Sequence, residues 1–170
     1  GASLVHPFDD FRIIAGQATV ALELFEDVSD IDIIMAPVGG GGLISGTALS
    51  KEYFSPSSKV IGAEPQGADD AKRSFDAGYL TPSVNPASIA DGLLTSLCER
   101  TFNIIKQYVS NIVTVDDVAI IAATRLIMER MKIVVEPSAA VTLAAVLEKR
   151  IDISGKRVGI ILSGGNIDMN

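Results

Sequence analysis

Short apolar runs at Leu4-Val5, Ile31 to Ala36, Val60-Ile61, Ile112-Val113 and Val158 to Leu162 punctuate the chain. Between them lie longer stretches in which apolar residues return every three or four positions. Runs this short and this continuous read as strands buried on both faces. Their alternation with helical stretches predicts an α/β fold, a doubly wound, mostly parallel sheet with helices on both faces. In the first helical stretch Ile14, Ala18, Leu22 and Phe25 share one face, and Glu23 and Glu26 lie away from it. Thr114-Val115-Asp116-Asp117 reads as a helix start with a side-chain cap, continued by an apolar stripe through Val118, Ile121, Ala122 and Leu126. Glu136-Pro137-Ser138 should open a further helix, since proline suits the first turn. Ala139 to Leu147 is apolar nearly all round, which predicts burial. The segment Gly78 to Pro86, with Pro82, Asn85 and Pro86, reads as a loop.

Length changes the picture little: 170 residues suffice for one core. Composition changes it more. Hydrophobic residues make up 48% and the mean hydropathy is +0.36, yet polar residues interrupt every apolar stretch before it reaches membrane-spanning length. That excess predicts a surface partly covered by another subunit or a further segment. A net charge of -7 argues against nucleic acid or an anionic membrane as partner and favours a small molecule. Cys98 is alone and no signal peptide precedes the first apolar run, so a cytoplasmic location is expected. Gly1-Ala2-Ser3, with no initiator Met, reads as a start in mid-protein.

The strongest chemical signal is Pro37-Val38-Gly39-Gly40-Gly41-Gly42-Leu43-Ile44-Ser45-Gly46, directly after the second apolar run. Successive glycines free the backbone to turn N–H groups onto an anion, and a following helix adds the positive end of its dipole. The spacing is neither GxGxxG nor a loop ending in Gly-Lys-Ser/Thr, which disfavours dinucleotide and nucleoside triphosphate sites. A turn that merely lets strand and helix pack closely is the alternative. A second glycine turn, Ser163-Gly164-Gly165-Asn166, leaves the last apolar run. In an open parallel sheet both turns should lie at the carboxyl edge and meet the same ligand.

These motifs, with His6-Pro7, Gly16-Gln17, Ala63-Glu64-Pro65, Ala90-Asp91-Gly92, Glu129-Arg130-Met131-Lys132 and Glu136-Pro137-Ser138-Ala139, resemble the serine racemase and threonine dehydratase family. Those are pyridoxal-phosphate enzymes of the tryptophan synthase β-like fold. The resemblance covers essentially residues 1–170 and implies a cofactor-binding portion of the large domain. It implies that Gly39, Gly40, Gly41, Gly42 and Leu43 hold the cofactor phosphate, that Ser163 hydrogen-bonds the pyridine nitrogen, and that Gly92 and Glu136 sit by the ring. It further implies that Glu64, Ala68 and Asp70 hold Mg²⁺ or Ca²⁺ through two carboxylates and a carbonyl. Read without it, Ser163 is a turn hydroxyl, Glu136 a helix cap, Asp91-Gly92 a common turn, and Glu64 to Asp70 an acidic helix start.

Arg130 and Lys132 fall where some relatives contact a nucleotide effector between subunits, which implies a homo-oligomer; solvated helix-end charges are the alternative. His6 and Cys98 read as structural, Cys98 as a small core residue. The family needs a Schiff-base lysine. None of the seven lysines, Lys51, Lys59, Lys72, Lys106, Lys132, Lys149 and Lys156, sits in its serine-x-lysine setting. The expected activity is therefore that of the C-terminal half of a serine or threonine ammonia-lyase (dehydratase) or a racemase. It acts on a small amino acid and is completed by a lysine-bearing N-terminal half. A non-catalytic phosphate-ligand-binding or regulatory domain is the second reading.

Overall fold

The computed structural model describes residues 1–168. Four parallel strands, β1 (Ile33–Pro37), β2 (Lys59–Pro65), β3 (Asn111–Val115) and β4 (Val158–Ile160), form one sheet in the order β3-β2-β1-β4. Successive residues of β1 feed opposite faces, and all are buried. Ile33 and Met35 join one core with Ile61, Ala63, Val113 and Val115, while Ile34 and Ala36 join another with Val38, Val60 and Ile112.

Helices close both faces. α1 (Phe11–Asp27), α2 (Gly42–Phe54), α3 (Asp70–Ala77) and α4 (Glu99–Tyr108) cover the second core. α5 (Asp117–Met131) and α6 (Pro137–Leu147) cover the first. Local chemistry starts several of them. The Asp10 carboxylate accepts the N–H of Arg12 ahead of α1, Asp116 accepts the N–H of Ala119 ahead of α5, and Pro137 opens α6. α1 and α2 touch backbone to backbone at Gly46, where an added Cβ would stand 2.5 Å from the N of Ala18. Among the described residues no helix is long and apolar enough to cross a membrane.

The α/β reading, the buried α6 and the loop after Gly78 match this architecture. Three expectations need correcting. Leu4-Val5 is not a strand: no partner strand reaches it, and Leu4 is 93% exposed. The stripe of α5 lies on the wrong face, since Ile120, Ala123, Thr124 and Ile127 are buried while Val118 and Ile121 are 75% and 52% exposed. Cys98 is half-buried at the N-cap of α4, its Sγ 3.3 Å from the Thr101 hydroxyl, and is not a core residue.

Candidate active site

From β1 the chain steps to β2 and then β3 on one side, and returns to place β4 on the other side of β1. The sequence direction therefore reverses between β1 and β4, where open parallel sheets hold ligands beyond their carboxyl ends. The glycine loop leaves β1 there and the Ser163 turn follows β4. Both border one cavity of about 320 Å³.

The loop is anchored first. The N–H of Val38 donates to the carbonyl of Ala63 at 2.9 Å, holding the strand end, and Gly41 then takes φ +86° as the N-cap of α2. Only glycine takes that backbone without strain, and a Cβ there would lie 2.8 Å from Leu97 Cδ2 and Thr101 Cβ. A Cβ at Gly40 would overlap one side of the Phe8 ring, at Cδ1, Cε1 and Cγ, and one at Gly39 would stand 3.0 Å from Thr95 Oγ1. Among the described residues no protein acceptor engages the N–H of Gly40, Gly41, Gly42 or Leu43. A row of unpaired amides at a helix N-terminus, beside a cavity, is the donor set a phosphate dianion fits.

Other elements add polar groups to the same cavity. Glu136, at the N-cap position of α6, makes no side-chain cap to its own helix. Its Oε2 accepts the N–H of Asn166 at 3.1 Å and its N–H donates to the carbonyl of Gly164 at 3.1 Å, so it fastens the Ser163 turn. The N–H of Gly92 donates to Ser138 Oγ at 3.0 Å, tying the Asp91–Leu93 turn to α6. Glu136 is the one ionisable side chain in this lining, and no lysine is among the lining residues.

Glu64, Ala68 and Asp70 lie apart from this cavity, where β2 passes into α3. Glu64 is 1% and Asp70 2% exposed. Glu64 Oε1 accepts the N–H of Lys72 at 2.6 Å and Asp70 Oδ2 that of Leu97 at 3.2 Å. Burial, with Asp70 close by, pushes the Glu64 carboxyl up to about 9, and burial also raises that of Asp70. Two hard carboxylates held from water without a cationic partner of their own suit a divalent cation. Among the described residues no group of three or more His, Cys, Asp or Glu side chains is placed to hold a metal ion, so any third ligand would have to come from backbone or water.

Arg130 and Lys132 stand exposed at the end of α5, outside the cavity. His6 Nδ1 accepts the N–H of Asp9 at 2.8 Å and braces the segment carrying Phe8. Sequence reasoning missed Phe8, Thr95 and Ser138 as lining residues. Ser138 lies within the Glu136-Pro137-Ser138-Ala139 motif and Phe8 follows His6-Pro7, whereas Thr95 carries no signal of its own.

A family model described as pyridoxal-phosphate dependent enzyme matches residues 1–164. The chain is 48% identical over 170 residues to a beta-hydroxyaspartate dehydratase of Paracoccus denitrificans, covering 100% of this chain and 54% of that protein. Among solved structures, it resembles a serine racemase from Dictyostelium discoideum with TM-score 0.94 and 47% identity, covering 99% of this chain and 54% of that one. It also resembles the processed form of a threonine deaminase from Solanum lycopersicum with TM-score 0.90 and 32% identity, over 97% of this chain and 46% of that one. The chain spans about half the length of the curated relatives it matches.

Proposed function

Because this chain belongs to the pyridoxal-phosphate dependent enzyme family, we propose that it forms the cofactor-phosphate portion of an ammonia-lyase or racemase acting on small hydroxy amino acids. The observation that carries the reading is the row of unpaired amides from Gly40 to Leu43, on the same cavity as Ser163, Glu136 and Gly92. Pyridoxal 5'-phosphate, when bound, supplies an electron sink for bonds at the substrate α-carbon.

The chain's own residues divide the work. Gly39 to Leu43 bind the phosphate through main-chain N–H groups, and Ser163 holds a neutral hydrogen bond at the pyridine nitrogen. Gly92, fixed by Ser138, would form a wall of the ring's site, and Glu136 holds the Ser163 turn at the cavity. A hydroxyl at that nitrogen does not keep it protonated as a carboxylate would, which suits loss of a β-hydroxyl group better than a long-lived carbanion. Glu64 and Asp70, with the carbonyl of Ala68, hold Mg²⁺ or Ca²⁺ at the start of α3. The lysine that bonds the cofactor belongs to a segment outside these residues, a placement supported by the lysine-free lining of the cavity. The exposed apolar side chains of α5 support a homo-oligomer or a covering segment.

The test is the complete gene product with pyridoxal 5'-phosphate: visible absorbance, turnover of serine, threonine and 3-hydroxyaspartate, and borohydride trapping to locate the modified lysine. Trapping at a lysine outside residues 1–170, with keto-acid and ammonia release or a change of chirality, supports the proposal. Trapping at one of the seven lysines here overturns its division of labour. Cofactor-free phosphate binding without turnover supports the second reading, a binding domain.

A further inference from the structure

Thr101 lies in the first turn of α4, fully buried and outside the lining of the cavity. Its Oγ1 accepts the N–H of Cys98 at 3.3 Å and donates to the carbonyl of Gly40 at 2.9 Å; the carbonyl and Sγ of Cys98, also within reach, are farther at 3.2 and 3.3 Å. A trans peptide unit is planar, so the carbonyl oxygen of Gly40 and the N–H of Gly41 point to opposite sides. With the oxygen tied to Thr101 beneath the loop, the Gly41 N–H faces the cavity. Were that peptide turned over, the cavity would meet a carbonyl oxygen, which repels an anion.

Two further contacts hold the arrangement. Thr101 Cβ occupies the space below Gly41, where an added Cβ would stand 2.8 Å away. The neighbouring Arg100 Nε donates to Asp9 Oδ1 at 2.8 Å, which pins α4 to the segment whose Phe8 ring covers Gly40.

We propose that Thr101 is a positioning residue that fixes the Gly40–Gly41 peptide with its N–H aimed at the ligand's phosphate. This rests on the phosphate reading given above. The test compares Thr101→Val, which keeps the shape and removes the hydroxyl, with Thr101→Ser, which keeps the hydroxyl, in the complete gene product. Each is titrated with pyridoxal 5'-phosphate and with pyridoxal, which lacks the phosphate.

T101V should weaken pyridoxal 5'-phosphate binding about 10- to 100-fold, the range for an orphaned buried carbonyl and a misdirected donor. Pyridoxal should change less than about twofold and T101S should stay within about threefold of the unaltered protein. Unchanged binding in T101V, or equal losses for both ligands, overturns the proposal. If the unaltered protein does not prefer the phosphorylated ligand, the phosphate reading itself fails, whatever the variants do. Should T101V not fold, amide NMR of the unaltered protein decides: the Gly41 proton must shift downfield when inorganic phosphate is added, and a stationary resonance overturns the proposal.

Discussion

Adding one methyl group at Gly40 or at Gly41 should damage the same loop for two separable reasons. At Gly40 the obstacle is steric alone, since its φ is not positive and the new carbon would overlap the Phe8 ring. Overpacking of this kind costs about 1–3 kcal/mol. At Gly41 the backbone sits at φ +86°, which costs a non-glycine residue about 1–2 kcal/mol. The contacts at 2.8 Å to Leu97 and Thr101 add about 1–3 kcal/mol more. For a chain of this size each kcal/mol lowers Tm by about 2–4 °C. G40A should therefore lose roughly 2–12 °C and G41A roughly 4–20 °C by the same conversion.

The discriminating step is to remove Phe8. F8A frees the space over Gly40 and should recover about 1–3 kcal/mol of the G40A loss as a coupling energy. It should recover none of the G41A loss, which comes from backbone conformation and from residues on the opposite side. Thermal unfolding of the five variants by circular dichroism, each with and without pyridoxal 5'-phosphate, measures the cycle. A G40A loss that persists undiminished in the F8A background, or an equal rescue of G41A, would refute the placement of Phe8 against the loop.

Ser163→Ala should leave the affinity for inorganic phosphate intact and lower kcat/KM about tenfold, the worth of one hydrogen bond; an unchanged kcat/KM removes Ser163 from the site. Millimolar Mg²⁺ or Ca²⁺ should raise Tm by several degrees, since a ligand at 100 times its Kd adds about 2.7 kcal/mol. Chelation should reverse the gain, and E64Q and D70N should abolish it; a full gain in both variants places the cation elsewhere. The Arg12 guanidinium, with its backbone N–H, holds the Asp10 carboxyl down at about 2. Since that value lies below the ordinary one near 3.9, its stabilisation is present above about pH 4 and disappears as pH falls through about 2. D10N should flatten that part of the acid-unfolding curve, and the effect should shrink in high salt.

The parallel sheet with helices on both faces and the two glycine turns were legible because buried parallel strands and side-chain-free bends leave local marks in a sequence. The α5 stripe was not. Val118, Ile121 and Ala122 are as apolar as the residues that do pack inward, so helical period alone offers two candidate faces, and only packing against α6 and the core it shares selects Ile120, Ala123 and Ile127. Leu4-Val5 misled for a related reason: two apolar residues satisfy the local pattern of a strand without a neighbour to pair with. Among the site residues, Glu64 and Asp70 reveal their burial only in three dimensions, because a β-strand end and a helix start converge on them. Phe8 and Thr101 act on Gly40 from 32 and 61 positions away, and no local periodicity records such meetings.

A grip made of main-chain amides has an unusual genetic consequence. Truncating a side chain leaves the donors of Gly40 to Leu43 chemically intact and reaches them only indirectly, through a support such as Thr101. The loop is directly vulnerable to enlargement: mutations that add atoms to its glycines disrupt it, and none that only subtract can remove its donors. Because amides do not titrate in the physiological range, the pH dependence of anion capture here should follow the second ionisation of the phosphate itself, at about 6, where a lysine- or histidine-based pocket would add a titration of its own.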